Sequence, residues 1–194
     1  ILRSGALGPV SLMLPMVTAP WEVRRAREIL EECRSELRSQ GREPGEVRVG
    51  IMVETPAAVV LADELALEAD FFSLGTNDLT QYTMSVERGN EKVSYLYSTF
   101  NPAVLRSIRN IIKCGREAGI MVGMCGEAAS DPMMIPLLLA FGLNEFSMSS
   151  SAILKARKMI TGYSKAELQA VADKAMSFVS AKEIENFMRD FINQ

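Results

Sequence analysis

The amino-acid sequence predicts an α/β fold of parallel strands with helices between them, and two observations carry that prediction. Short apolar runs alternate with longer stretches of helical spacing along almost all of the 194 residues, the pattern of strands joined by right-handed helical crossovers. Three of those runs lead into chemically capable side chains, Glu54, Asp78 and Cys125, as a parallel sheet does when it delivers functional groups to the carboxyl ends of its strands.

Each element follows from its local pattern. Residues 10–16, VSLMLPM, come after the turn-like Gly8-Pro9 and read as a buried strand, with Pro15 where the chain leaves the sheet. From Pro20 to Gly41 the spacing is helical, with Val23, Ala26, Ile29, Leu30, Cys33 and Leu37 on one face; Cys33 is expected there as a small buried hydrophobe. Residues 47–53 form a strand that runs into Glu54, and Pro56 opens a helix to Ala69. Residues 71–75, FFSLG, are the third strand, followed by Thr76, Asn77 and Asp78 and a long polar loop to Thr99 that carries Arg88. Asn101-Pro102 caps and starts the next helix, whose buried side is Val104, Leu105, Ile108, Ile111 and Ile112, with Cys114 partly packed. Gly119 stops it, and residues 120–125 form a strand reaching Cys125-Gly126-Glu127. Asp131-Pro132 opens a helix to Gly142, residues 144–148 make a fifth strand, and a helix spans Ala152 to Ile160. The capping-box sequence from Ser164 to Glu167 then begins one or two amphipathic helices ending near Ile192.

No G-x-G-x-x-G follows the first strand, and special residues at three different strand ends suit a barrel better than a doubly wound sheet. A whole (β/α)8 barrel takes about 250 residues. The expected fold is therefore a partial (β/α)8 TIM barrel: five strand-helix units plus C-terminal helices, residues 1–194 being the C-terminal part of the barrel domain and Ile1 falling within a helix.

Composition narrows the function. A net charge of -3, with cations interleaved among acids, excludes a generic nucleic-acid surface. Apolar runs stop well short of the ~18 residues of a membrane span, and no signal-peptide plan opens the chain, so a cytoplasmic protein without membrane contact is expected. Cys33, Cys114 and Cys125 lack metal-ligand spacing and are expected to be reduced thiols. The chain has no histidine, which excludes histidine bases, histidine ligands and a phosphohistidine of its own. What remains is hard-cation and anion chemistry. Glu54 and Asp78 on adjacent strand ends suit Mg²⁺, which keeps open positions for a phosphate-bearing ligand; Arg88 is a fork-shaped cation for an anion. Cys125 could exchange a proton or act as a nucleophile if its thiol faces the mouth of the sheet.

The segments GIMVETPAA, FFSLGTNDLTQYT, VERGN, GMCGE and LNEFSMS, in this order, resemble enzyme I of the bacterial phosphoenolpyruvate-dependent sugar phosphotransferase system over nearly the whole chain. The resemblance implies the phosphoenolpyruvate-binding barrel, which also forms the family's homodimer. It implies that Glu54 and Asp78 ligate Mg²⁺, that Asn77 and Asp78 contact phosphoenolpyruvate, that Arg88 grips its phosphate or carboxylate, and that Cys125 protonates the enolate carbon to give pyruvate. The phosphoryl group would pass to a histidine on an N-terminal domain and on to a phosphocarrier protein for sugar uptake. Neither that domain nor the family's arginines on earlier barrel strands is found in these residues, so the isolated chain is expected to have an incomplete site and to be inactive alone. Pyruvate phosphate dikinase and phosphoenolpyruvate synthase share a similar G-T-N-D turn and a cysteine before Gly-Glu; VERGN and NEFSMS favour the enzyme I version. A non-catalytic dimerisation fragment is the alternative of a different class.

Overall fold

The computed structural model describes residues 1–193. Five strands, β1 (Val10–Leu14), β2 (Val47–Val53), β3 (Phe71–Gly75), β4 (Met121–Cys125) and β5 (Glu145–Phe146), lie where the apolar runs place them. They are parallel and ordered β1-β2-β3-β4-β5, with Leu14 beside Ile51, Val53 beside Leu74, Gly75 beside Cys125 and Met124 beside Phe146. The sheet does not close on itself, so the fold is a partial (β/α)8 barrel. β1 stops one residue before Pro15, which has no N–H to give to a ladder.

Side-chain alternation gives the sheet two unlike faces. Val49, Ile51, Val53, Phe72, Leu74, Val122 and Met124 point outward and are buried beneath helices. Ser11, Met13, Ser73, Gly123, Cys125 and Glu145 are among the groups around a concavity of about 290 Å³ on the other face. Gly50 belongs to this inner face because the Phe71 ring takes the room of a side chain: a Cβ there would fall 2.4 Å from the ring. Arg48 covers that ring at 5.5 Å from its centroid.

The helices are α1 (Leu2–Gly5), α2 (Pro20–Ser39), α3 (Pro56–Val60), α4 (Ala62–Glu68), α5 (Thr76–Met84), α6 (Pro102–Glu117), α7 (Met134–Phe141), α8 (Ser150–Ile160), α9 (Lys165–Ala175) and α10 (Ala181–Ile192). α6 buries Val104, Leu105, Ile108, Ile111 and Ile112, and Asn101 caps it by accepting from the Ala103 N–H at 2.9 Å. Ser164 and Ser180 open α9 and α10 with reciprocal capping boxes to Glu167 and Glu183. Leu168, Ala172, Ala175, Ile184 and Met188 then bring both helices into the main core. No described helix is long and apolar enough to cross a membrane.

The structure departs from the sequence expectations in four places. The helix expected from Pro56 to Ala69 breaks at Leu61, where Asn110 of α6 donates to the Val59 carbonyl at 3.2 Å. The loop expected after Asp78 is helical from Thr76 to Met84: Leu79 and Thr80 are buried, and the Thr80 hydroxyl turns back to the Thr76 carbonyl at 2.7 Å, so a polar sequence packs as a helix. Asp131 lies in a turn ahead of its helix, accepting from the Met133 N–H at 2.8 Å, and α7 starts only at Met134, with Met133 as its N-cap. Cys33 is exposed. On α2 only Val23 is buried, because the face carrying Ala26, Ile29, Leu30, Cys33 and Leu37 borders an apolar cleft of about 540 Å³ at the open side of the sheet.

Candidate functional site

Glu54 continues the inner-facing alternation of β2 and comes to rest at the carboxyl rim of the sheet, only 3% exposed. Two features of the backbone put it there. Met16, in the left-handed region at φ 54°, donates its N–H to Glu54 Oε1 at 2.9 Å. Gly75, at the end of β3, leaves the space that the other oxygen needs: a Cβ on Gly75 would lie 2.5 Å from Glu54 Oε2. Burial pushes the Glu54 carboxyl above its ordinary range, the Met16 N–H opposes that, and the neighbouring Asp78 carboxyl, close enough to share a hydrogen bond, raises it further.

Asp78 is half-buried in the first turn of α5. A helix thus holds it, rather than a strand end or loop. Glu54 is buried with a second carboxyl beside it, so a proton or a cation between the two would relieve their repulsion. Mg²⁺ commonly takes one or two protein carboxylates and completes its shell with water and substrate phosphate, so this donor pair fits that ion. No group of three or more Cys, Asp or Glu side chains able to hold a metal occurs among the described residues.

Arg88 projects from the loop after α5, its backbone N–H bonded to Gln81 Oε1 at 3.0 Å. Its guanidinium crosses to the loop after β4 and donates to Glu127 Oε1 at 2.6 Å. Tyr97 closes the same region, donating its hydroxyl to the Asn77 carbonyl at 3.1 Å. Burial raises the Tyr97 phenol above its usual range, Arg88 lowers it, and Glu127 and Asp78 raise it, which sets all four residues in one neighbourhood. Nothing in the sequence points to Tyr97, since only the path of the loop brings it back to Asn77.

Cys125, half-buried at the end of β4, lies beside Gly75 in the sheet and faces the inner concavity. Its thiol approaches the Leu74 carbonyl at 3.5 Å, and the Ser73 hydroxyl approaches the sulfur at 3.7 Å. Ser73 is a functional neighbour that the strand pattern could have supplied: it is the polar residue of FFSLG, two before Gly75 and hence on the same face. Gly126 follows at φ 102°, where a Cβ would also meet Thr76 Oγ1 at 2.7 Å. Of the residues picked out in the sequence, Glu54, Asp78 and Cys125 come together at the carboxyl ends of adjacent strands. Asn77 lies in the first turn of α5 with Asp78, and Arg88 reaches the rim through its pairing with Glu127.

Fold and rim together define a class, a sector of a (β/α)8 barrel with its ionisable groups gathered where the strands end. Solved structures agree on the fold. A citrate lyase from Burkholderia xenovorans LB400 matches with a TM-score of 0.57 over 96% of this chain and 64% of its own, at 16% identity. The citrate synthase SbnG matches with a TM-score of 0.50 over 83% and 64%, at 13% identity; both are likenesses of fold alone. Residues 1–164 match the family of PEP-utilising enzymes through its PEP-binding domain, and the chain belongs to that family. It is 43% identical over 192 residues to phosphoenolpyruvate-protein phosphotransferase of Staphylococcus carnosus. The proteins of the same name are 46% identical over 190 residues in Priestia megaterium and 45% over 185 in Listeria monocytogenes. The alignments cover 98%, 97% and 95% of this chain but 34%, 33% and 32% of those relatives, so the chain spans about a third of their length.

Proposed function

We propose that this chain is the phosphoenolpyruvate-binding part of a phosphotransferase that moves the phosphoryl group of phosphoenolpyruvate to a histidine and then to a phosphocarrier protein, releasing pyruvate. The observation that carries the reading is the meeting of Glu54, Asp78 and Cys125 at one rim of the barrel sector, in a chain whose relatives bear that name. Glu54 and Asp78 would hold Mg²⁺, which when bound supplies positive charge against the phosphoryl group as it leaves. Asn77 and Asp78 would contact the substrate, and Arg88 would take its phosphate or carboxylate through the guanidinium fork. Once the P–O bond has broken and left its electron pair on the enolate oxygen, that pair would form the C=O of pyruvate while the C=C pair takes the proton of the Cys125 thiol, leaving a thiolate to be reprotonated. The Ser73 hydroxyl, 3.7 Å from the sulfur, would support that thiolate. The acceptor histidine lies outside these residues, which contain none. In this chain alone β1 and β5 are edge strands with unpaired backbone groups, which would favour pairing with a second copy of the chain.

Calorimetric titration with phosphoenolpyruvate and Mg²⁺, run beside pyruvate formation in the native full-length protein, tests the division of labour. Cys125→Ala should retain binding and lose turnover. Asp78→Ala should lose both, and Arg88→Ala should lose on the order of 1.5–3 kcal/mol of binding, the value of a hydrogen bond to a charged group. Equal loss of binding in Cys125→Ala and Asp78→Ala would remove the cysteine from the role of acid.

A further inference from the structure

The Arg88–Glu127 contact has a use that the phosphotransferase reading does not assign. Glu127 stands two residues after Cys125, and the turn at Gly126, φ 102°, carries it over the rim toward the loop of Arg88. The pair is short, 2.6 Å, but it is a single end-on bond from Nη2 to Oε1, and the two side chains are 46% and 78% exposed. Such a pair is weak, because solvent screens it and both side chains lose freedom in making it. The rest of the guanidinium fork has no hydrogen bond to another side chain among the described residues. Tyr97 and Glu127 also line a cavity of about 190 Å³ at the base of the loop.

We infer that Glu127 is an internal counter-anion that occupies Arg88 while the site is empty and that an anionic ligand must displace. The inference rests on Arg88 being the anion-gripping residue of the proposed function. A phosphate or carboxylate presenting two oxygens can take the fork side-on, which one Glu127 oxygen does not. Glu127, already largely in water, gives up its partner without a desolvation cost. The clasp therefore lowers the apparent affinity of every ligand that needs Arg88 by the fraction of time Arg88 is held, and it closes again when the ligand leaves.

A double-mutant cycle in the native full-length protein tests this, using calorimetry with phosphoenolpyruvate and Mg²⁺. Glu127→Gln should tighten binding by about two- to fivefold, the range that a surface pair of this kind supports, and should have no effect in an Arg88→Ala background. Binding that is weakened or unchanged by Glu127→Gln overturns the inference, because Glu127 would then orient Arg88 or be idle. If the wild type does not bind phosphoenolpyruvate, the proposed function fails and inorganic phosphate becomes the probe; the same tightening is expected, and its absence overturns the clasp. Trypsin gives a reading that needs no ligand. Cleavage after Arg88 should quicken by a similar factor in Glu127→Gln, and an unchanged rate means that Glu127 does not hold the arginine.

Discussion

Gly75→Ala isolates the device that lodges the first acid. A methyl group at this position would lie 2.5 Å from Glu54 Oε2, 2.9 Å from Glu54 Cβ and 2.9 Å from Met52 Sδ, all well inside van der Waals contact. Met52 can swing its sulfur away. Glu54 cannot yield easily, since it is buried and its other oxygen is fixed by the Met16 N–H at 2.9 Å. Overpacking of this kind costs about 1–3 kcal/mol, and eviction of the carboxylate adds the loss of a hydrogen bond to a charged group, about 1.5–3 kcal/mol. Urea unfolding should therefore show a loss of a few kcal/mol. On the proposed function, Mg²⁺-dependent phosphoenolpyruvate binding by the native full-length protein should fall by about tenfold or more, the equivalent of at least ~1.4 kcal/mol. The shorter acid in Gly75→Ala with Glu54→Asp should recover part of the stability but not the binding. An alanine tolerated without change in either measurement would mean that Glu54 has another place to go, and the reasoning about its position would be wrong.

Two further outcomes are expected. Ile108→Ala, in the buried stripe of α6, should lower stability by about 2–5 kcal/mol with an unchanged dependence on urea concentration; a smaller loss would mean that the helix collapses onto the space. The raised pKa of Glu54 means that the folded chain holds this proton more tightly than the unfolded chain, whose value is near 4.5. Without added metal, the Glu54 contribution is favourable at low pH, declines as pH rises from about that value through the higher folded one, and levels off above it. Urea titrations of wild type and Glu54→Gln across this window should differ by that decline, and identical pH profiles would dismiss it.

The sheet could be read in the sequence because its strands are short apolar runs bounded by Gly, Pro and polar turns, and an outward face of Val, Ile and Leu leaves little choice of element. Glu54 and Cys125 were readable for the same reason: the side chain that ends an apolar run, or follows it directly, stands at the rim. α5 was not. Its residues Thr76 to Met84 are mostly polar, and only packing reveals that Leu79 and Thr80 are buried while Asp78 rides on the first turn. Cys33 shows the opposite failure. Its helical spacing is that of a core face, but spacing says which residues share a side and not what covers them, and α2 lies at the open side of the sheet. The partners of the site were hidden for a third reason. Tyr97 meets Asn77, and Glu127 meets Arg88, across 20 and 39 residues of chain, through loops whose course no local pattern sets.

Strand order in space repeats strand order along the chain, and that has a bearing on how the site survives fluctuations. Every pairing joins consecutive strands, so structure can be lost from either edge one unit at a time, with each opening confined to the neighbouring contacts, as in a short one-dimensional array. In this chain taken alone, β1 and β5 are the two ends of that array and should surrender their amide protons to solvent first. The strands that run into Glu54, into the turn of Asp78 and to Cys125 are β2, β3 and β4, each of which has a partner on both sides. The acids and the thiol are thus rooted in the last part of the sheet to open. Arg88 and Glu127 sit on loops above it, so the groups that meet a ligand first can move while those beneath keep their places.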